Sequence, residues 1–310
     1  MIIRDTTAAT RCLKRMGYYR LSGYWYPFRK SHVLSHPLTG QITPHPVTGK
    51  PQVIVEDGFR PGTTFEQVID LYLFDRQLRL LFLDAIERVE VALRVDVALL
   101  LGVRGPMAHR DTLHLHDDFT TKVLPHTSRT RYEDWLKRSE DAFVRSSEEF
   151  IKHFKSKYSG SPPIWIEVEL WDFGMLSVLL SGLKVADRQL LARSHRLSRP
   201  NLLVASMRNI NNVRNICAHH GRLWNRSLGD LAPIPQLNEI PLLDHLSTNA
   251  SPQRVYSTAA FLQFLLRGIE PTTNWGERLK AHIATFISTP TTNIAQAGFP
   301  AGWDQLPLWK

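Results

Sequence analysis

The strongest constraint on the fold is a long segment, residues 63–101, in which apolar side chains recur at every third or fourth position. These side chains belong to Leu71, Phe74, Leu78, Leu81, Phe82, Ala85, Val89 and Leu93. Their spacing is that of an α-helix with one buried side. Thr63 or Thr64 can cap this helix, and Glu66 or Gln67 can complete a capping box. The sequence therefore predicts one long helix whose apolar side faces the core.

Further helices are predicted between turns that are rich in proline and glycine. They cover residues 132–158, 164–183, 200–220, 255–267 and 276–287. Residues 30–60 differ, because short extended pieces alternate with Pro/Gly turns and the motif HPLTG at 36–40 is echoed by HPVTG at 45–49. That pattern, followed by the β-branched residues 53–55, predicts a small extended or hairpin insertion.

The predicted fold class is therefore all-α, with a hairpin insertion near residues 30–60. We expect one domain over residues 1–310. Within it, residues 1–62 form an aromatic turn and the extended insertion, residues 63–290 form the helical core, and residues 291–310 form an irregular C-terminal tail.

Composition narrows the cellular setting and the partners. The chain has 38 Lys+Arg against 29 Asp+Glu, a formal net charge of +9 that favours polyanions such as RNA, DNA or an anionic membrane. Nucleic acid is preferred, because no basic amphipathic helix stands out and no apolar run approaches the roughly 20 residues that cross a bilayer. Two cysteines, Cys12 and Cys217, make no disulfide framework, and no secretory signal is found. A cytoplasmic protein with no membrane partner is predicted.

Candidate chemistry concentrates in residues 201–224, NLLVASMRNINNVRNICAHHGRLW. On a helix, one side of this segment is apolar and carries Leu202, Leu203, Ile210, Val213 and Cys217. The opposite side is polar and carries Arg208, Asn211, Asn212, Asn215 and His219, with Arg214 at its border. Asparagine is a poor helix former, so this side is not typical of a helix that only meets solvent.

The polar side is suited to cutting RNA without a metal. A histidine can take the proton of a ribose 2′-OH or protonate the leaving 5′-oxygen near neutral pH. An arginine supplies a permanent charge on the phosphate, and an amide can orient either group. We therefore predict His219 as general acid or base, Arg214 as phosphate ligand and Asn215 as orienting group. The predicted auxiliary or RNA-binding residues are His220, Arg222, Arg208, Asn211, Asn212, Arg20 and Glu90.

A simpler interpretation is that His219 and His220 merely end the helix, with Gly221 at the left-handed cap position. It does not account for the arginines and asparagines beside them. Arg214 and His219 are five residues apart, about 140° around a helix, so they converge poorly within one chain. Convergence is easier if two copies meet across a two-fold axis, which favours a homodimer.

Other clusters favour structural roles. Glu90 and Arg94 have the spacing of an ion pair within the long helix, although Glu90 could also orient Arg214. The aromatic residues 18–28 favour core packing over base stacking, with Arg20 an exception that faces the cleft. His109, His114, His116, Asp117 and Asp118 form a metal-like cluster that we interpret as a solvated loop. Phosphate loops and nucleotide-binding glycine patterns are absent, so neither a cofactor nor a metal is predicted.

Five sequence blocks occur in order along the chain: GYYRLSGYWYPFR, FDRQLRLLFLDAIERVEVALR, WDFGMLSVLLSGL, RNICAHHGRLWNR and AGFPAGWDQLPLW. Together they resemble the abortive-infection phage-resistance family of the AbiD/AbiF type. That family is similar to the HEPN superfamily, whose nucleases carry an arginine, a polar residue, three further residues and a histidine. This pattern maps onto Arg214, Asn215 and His219.

The resemblance implies a HEPN-like helical bundle that acts as a metal-independent endoribonuclease, a dimer used in phage defence or as a toxin. An antitoxin partner is left open. Two alternatives also remain: a non-catalytic defence component that binds a small non-coding RNA, and a structural partner that only dimerises.

Overall fold

Helices dominate the computed structural model, which describes residues 1–35, 39, 41–44, 49, 51–125, 127–248 and 250–310. Within these residues the α-helices are α1 Thr6–Met16, α2 Tyr18–Trp25, α3 Phe65–Gly102, α4 Asp117–Thr121, α5 Arg131–Arg145, α6 Glu149–Lys157, α7 Ile164–Glu167, α8 Phe173–Gly182, α9 Val185–Ser194, α10 Pro200–Ala218, α11 His245–Thr248, α12 Val255–Ile269 and α13 Trp275–Ala284. Strands β1 Arg29–Val33 and β2 Val53–Phe59 form an antiparallel pair. The predicted all-α fold with a small hairpin is confirmed; most of the HPLTG and HPVTG repeat lies outside the described residues.

The long helix α3 is the centre of the fold. Its N-cap is Thr64, whose hydroxyl accepts the Gln67 N–H at 3.3 Å while the Gln67 side chain accepts the Thr64 N–H at 3.0 Å. This is the predicted capping box, and all eight predicted stripe residues are buried. Helices α2, α7, α10, α12 and α13 pack around it. Neither α3 nor any other described helix combines the length and apolar character needed to cross a membrane.

Helix α10 packs its apolar side against α3, α8, α9 and α12. The five residues predicted on that side are all buried, which confirms the assignment of its two faces. Asn209 is buried as well, and both ends of its amide are bonded: Nδ2 donates to the Asp230 carbonyl at 2.7 Å and Oδ1 accepts from the Thr258 hydroxyl at 2.8 Å. The position of α10 is thus fixed by apolar packing and by one satisfied buried amide.

Residues 164–183 form two helices and not the single helix predicted. Helix α7 ends at Glu167, and α8 begins after Asp172, whose side chain accepts the Met175 N–H at 2.7 Å. An aspartate that captures this amide stabilises a new helix start in place of a continuous helix. Residues 132–158 are likewise divided between α5 and α6.

The C-terminal tail, residues 291–310, belongs to the core. It consists of short 3₁₀ turns at Ile294–Ala297, Trp303–Gln305 and Pro307–Trp309. Trp309 is buried, and its indole N–H donates to the Tyr256 hydroxyl of α12 at 3.3 Å. The tail thus covers one side of α12.

Candidate active site

The end of α10 forms a tight turn that presents two histidines. The N–H of His220 donates to the Cys217 carbonyl at 3.0 Å, and that of Gly221 donates to the Ile216 carbonyl at 2.8 Å. These are the two bonds of a Schellman cap. The left-handed residue is His220, with φ 57°, and not Gly221 as the simple capping interpretation predicted. Both imidazoles, of His219 and His220, are exposed.

Gly221 has a different role in this turn. A Cβ at this position would lie 3.3 Å from the Ile216 side chain and 3.3 Å from its carbonyl oxygen. The glycine is therefore needed for close packing of the turn on α10. A histidine in the left-handed conformation costs about 1–2 kcal/mol, so the surrounding structure must hold His220 there.

Three arginines fix the position of the turn through hydrogen bonds to backbone carbonyls. Arg20 of α2 donates to the His220 carbonyl at 3.2 Å, and Arg79 of α3 donates to the Gly221 carbonyl at 3.3 Å. Arg222 donates in the other direction, to the Gly23 carbonyl of α2. Two predicted auxiliary residues, Arg20 and Arg222, thus fasten the turn to α2.

Asp75 of α3 fixes the chain just beyond the turn. Its carboxylate is fully buried and accepts the Trp224 N–H at 2.7 Å, the Leu223 N–H at 3.1 Å and the Tyr24 hydroxyl at 2.6 Å. It also pairs with Arg79, one helical turn later. Burial raises the pKa of the Asp75 carboxyl, while the charge of Arg79 and the three donors act to lower it.

This network was not predicted from the sequence. Its signal was available, because Asp75 and Arg79 fall on the same side of the long helix as its apolar stripe. Two opposite charges four residues apart on a buried side indicate a buried ion pair, since an unpaired charge there would be costly.

His219 lines a cleft of about 760 Å³ between the turn and α2, here called the histidine cleft. Its lining residues are Tyr19, Arg20, Ser22, Gly23, Tyr24, Tyr26, His219, His220, Gly221, Arg222 and Arg226. Among the described residues the lining contains three arginines and no carboxylate, so the cleft is suited to an anion. Within the aromatic cluster, Tyr24, Trp25 and Phe28 are buried as predicted, whereas Tyr19 and Tyr26 are exposed at this cleft.

Arg214 and Asn215 line a different groove, between α5, α8, α9 and α10, with a volume of about 610 Å³. We call it the arginine groove. Its lining residues are Arg131, Arg138, Asp172, Gly174, Ser177, Val178, Ser181, Arg188, Val204, Arg208, Asn211, Arg214 and Asn215. The structure thus brings the predicted residues Arg208, Asn211, Arg214 and Asn215 together. Asn212 lines neither this groove nor the histidine cleft, and its Oδ1 is buried without a partner among the described residues.

Arg214 also faces the predicted carboxylate on α3. It lines a shallower cleft with Glu87, Glu90 and Arg94. The predicted ion pair is present, with Arg94 donating to Glu90 at 2.5 Å. Burial raises the pKa of Glu90, and the charges of Arg94 and Arg214 act to lower it. Glu90 therefore interacts electrostatically with Arg214.

The metal-like cluster is dispersed in the structure. His109 is buried with its Nε2 2.7 Å from Glu167, so the prediction of a solvated loop is wrong for this residue. It belongs to a buried network in which Glu167 also binds Arg110 and Ser139. His116 instead caps α4 by accepting the Asp118 N–H at 3.2 Å. In the part of the chain that the structure describes, no group of three or more His, Cys, Asp or Glu side chains is placed to hold a metal ion.

Comparison with known protein families finds a match over the region that contains both clefts. The model of the family described as Abi-like protein matches residues 11–225, about two thirds of the chain. The matched region runs from α1 to the turn after α10 and includes every lining residue of the histidine cleft and the arginine groove except Arg226. No curated protein and no solved structure matches the chain.

Proposed function

The chain belongs to the Abi-like protein family, which suggests a role in phage defence, and we propose that it acts there as a metal-independent endoribonuclease. One observation carries the proposal: α10 presents an imidazole and a guanidinium to open, arginine-lined clefts. His219 is exposed, and its ring makes no hydrogen bond with the described residues. Arg214 has no carboxylate within ion-pair distance, and its one side-chain hydrogen bond among these residues is to Asn215 at 3.4 Å.

In the proposed reaction the ribose 2′-oxygen attacks the adjacent phosphorus. The bond from phosphorus to the 5′-oxygen of the next nucleotide breaks, which leaves a 2′,3′-cyclic phosphate and a 5′-hydroxyl. His219 takes the proton of the 2′-hydroxyl or supplies the proton of the 5′-hydroxyl, and water or a second His219 completes the transfer. Arg214 stabilises the charge that grows on the non-bridging oxygens, while Asn215 orients its guanidinium.

We further propose that two copies form the site. Arg214 and His219 line different grooves of one chain, and they are about 140° apart on α10. A two-fold axis near the end of α10 would bring Arg214 of one copy opposite His219 of the other, and would create two equal sites.

Cleavage of end-labelled RNA by the purified protein tests the chemistry. His219→Ala should slow cleavage by about 10²–10⁴-fold, and Arg214→Ala by about 10²–10³-fold. Matched controls are His153→Ala on α6 and Arg193→Ala on α9, both exposed and outside the clefts described above. If His219→Ala cleaves as fast as wild type, the assignment is wrong.

Mixing two inactive variants tests the shared site. A heterodimer of Arg214→Ala with His219→Ala has one site in which both groups are intact, and one in which both are lost. Random exchange makes half of the dimers mixed, so about a quarter of wild-type activity should return. No recovery after verified exchange would contradict a site shared between copies.

The same assay distinguishes the endoribonuclease from the alternative, a non-catalytic defence component that binds RNA. The arginines around α10 favour phosphate binding whether or not His219 transfers a proton. Wild-type protein that retains RNA without cutting it would support this alternative.

A further inference from the structure

The arginine groove extends well beyond the residues proposed for cleavage. Two of its arginines, Arg131 and Arg138, come from α5, and a third, Arg188, comes from α9. With Arg208 and Arg214 of α10, five arginines line the groove, against the single carboxylate of Asp172. This excess of positive charge indicates an anionic ligand.

Several donors in the groove have no acceptor within the described ranges. Arg131 and Arg188 make no side-chain hydrogen bond or ion pair there, and the Nε of Arg188 is buried. Arg138 has only a long ion pair, 3.5 Å, with Asp172. Guanidinium groups that line an open groove without an acceptor are suited to a ligand that supplies acceptor oxygens.

Helix α8 contributes Gly174, Ser177, Val178 and Ser181 to the lining of the groove, and three of these four residues are small. From Gly174 to Ser181 the helix rises by about 10 Å, so the groove is long enough for more than one phosphate of an extended strand. A Cβ on Gly174 would lie 3.0 Å from the Asp172 carboxylate and 3.7 Å from the Asn211 amide, so the glycine lets these two side chains approach α8 closely.

The lining also limits what the groove can recognise. The described part of the chain contributes no aromatic side chain to it, so unpaired bases have no ring from these residues on which to stack. Its volume, about 610 Å³, lies in the range of small-ligand clefts and admits one strand more readily than a duplex. The contacts it offers are to phosphate, which carries no sequence information.

We propose that the arginine groove binds the phosphate backbone of single-stranded RNA next to the phosphate held by Arg214. That the strand is a substrate rests on the proposed function; the binding itself does not. Variants of Arg131 and Arg188 test binding in the groove independently of cleavage, because neither residue is part of the proposed chemistry.

Binding is measured by fluorescence anisotropy of a short labelled RNA, in a His219→Ala background that leaves the RNA intact. Arg131→Gln with Arg188→Gln should weaken binding by about tenfold or more per arginine. The slope of log K against log salt should fall by about 0.7 for each lost phosphate contact. Arg193→Gln, on the exposed side of the same helix α9, is the matched control and should bind as the parent does.

A charge-conserving double variant tests whether lost binding reflects lost contacts and not misfolding. Arg131→Lys with Arg188→Lys keeps the charge and should retain most of the binding, while thermal melts show whether the glutamine variant is folded. Groove variants that bind as tightly as the parent, or with an unchanged salt slope, overturn the inference, as does equal affinity for duplex RNA.

The two proposals fail separately. If wild type does not cut RNA but the glutamine variant loses binding, the nuclease proposal is refuted and the groove stands. If wild type cuts RNA and the glutamine variant binds as the parent does, the groove alone is refuted.

Discussion

Substituting Asp75 by alanine should destabilise the fold and displace the turn that carries His219. Four groups lose a hydrogen bond at once: the Tyr24 hydroxyl, the amides of Leu223 and Trp224, and the guanidinium of Arg79, which keeps its bond to the Gly221 carbonyl. Leaving one partner of a buried ion pair alone costs about 3–5 kcal/mol. The two orphaned amides place the expected loss toward the upper end of that range.

Two double variants separate the ion pair from the backbone anchor. Asp75→Asn with Arg79→Met removes both charges but keeps an oxygen that can accept the amides of residues 223 and 224, so we expect a loss of about 1–2 kcal/mol. Asp75→Leu with Arg79→Met removes that oxygen too, and should cost about 2 kcal/mol more because two buried amides then lack an acceptor. Asp70→Ala, exposed on the same helix, is the control and should stay within about 0.5 kcal/mol of wild type.

Urea unfolding followed by far-ultraviolet circular dichroism gives these free energies, provided that all variants share one m-value. RNA cleavage by the Asn/Met variant then reports whether the turn keeps its position. If Asp75→Ala costs less than about 1 kcal/mol, or if the two double variants are equally stable, the anchoring of the turn by Asp75 is refuted.

Three further predictions concern single residues. Burial opposes ionisation of Glu167, but hydrogen bonds from His109, Arg110 and Ser139 lower its pKa to about 2. The ionised Glu167 therefore contributes about 3 kcal/mol to stability above the unfolded pKa of about 4.3, and this contribution is lost as the pH falls toward 2. The urea midpoints of wild type and Glu167→Gln should converge over that pH range. Midpoints that stay equally far apart at every pH would contradict this. Gly182→Ala would push a Cβ into the ring of Phe119 and should cost about 1–3 kcal/mol, and an unchanged melting temperature would show that the ring can move. His220→Gly should stabilise the fold by about 1 kcal/mol, because glycine adopts the left-handed conformation freely, and a lower melting temperature would argue against strain at this residue.

Local periodicity predicted the helices that matter most for the site. The capping box and buried stripe of α3, and the two faces of α10, follow from residues that are neighbours in sequence. The break between α7 and α8 was missed, because the apolar content around Trp171 continues across it while the signal for a stop is a single aspartate, Asp172.

Features that depend on tertiary packing could not be read from periodicity. The arginine groove combines Arg138 of α5 with Arg188 of α9 and Arg208 of α10, and nothing local in the sequence places these residues side by side. The position of His220 in the left-handed conformation was also not predictable, since Gly221 beside it is the better former of that conformation. Both features depend on contacts between residues that are distant in sequence, and at His220 these contacts override the local preference.

The rigidity of the turn after α10 bears on how the site is assembled. A site within one chain would require His219 to move across the end of the helix toward Arg214. The backbone that would have to move is held by Arg20 at residue 220, by Arg79 at residue 221 and by Asp75 at residues 223 and 224. Releasing these bonds would leave several buried groups unpaired, each at a cost of about 1–3 kcal/mol. A second copy that brings its own His219 needs no such release, so the fixed separation of the two groups favours a site shared between copies.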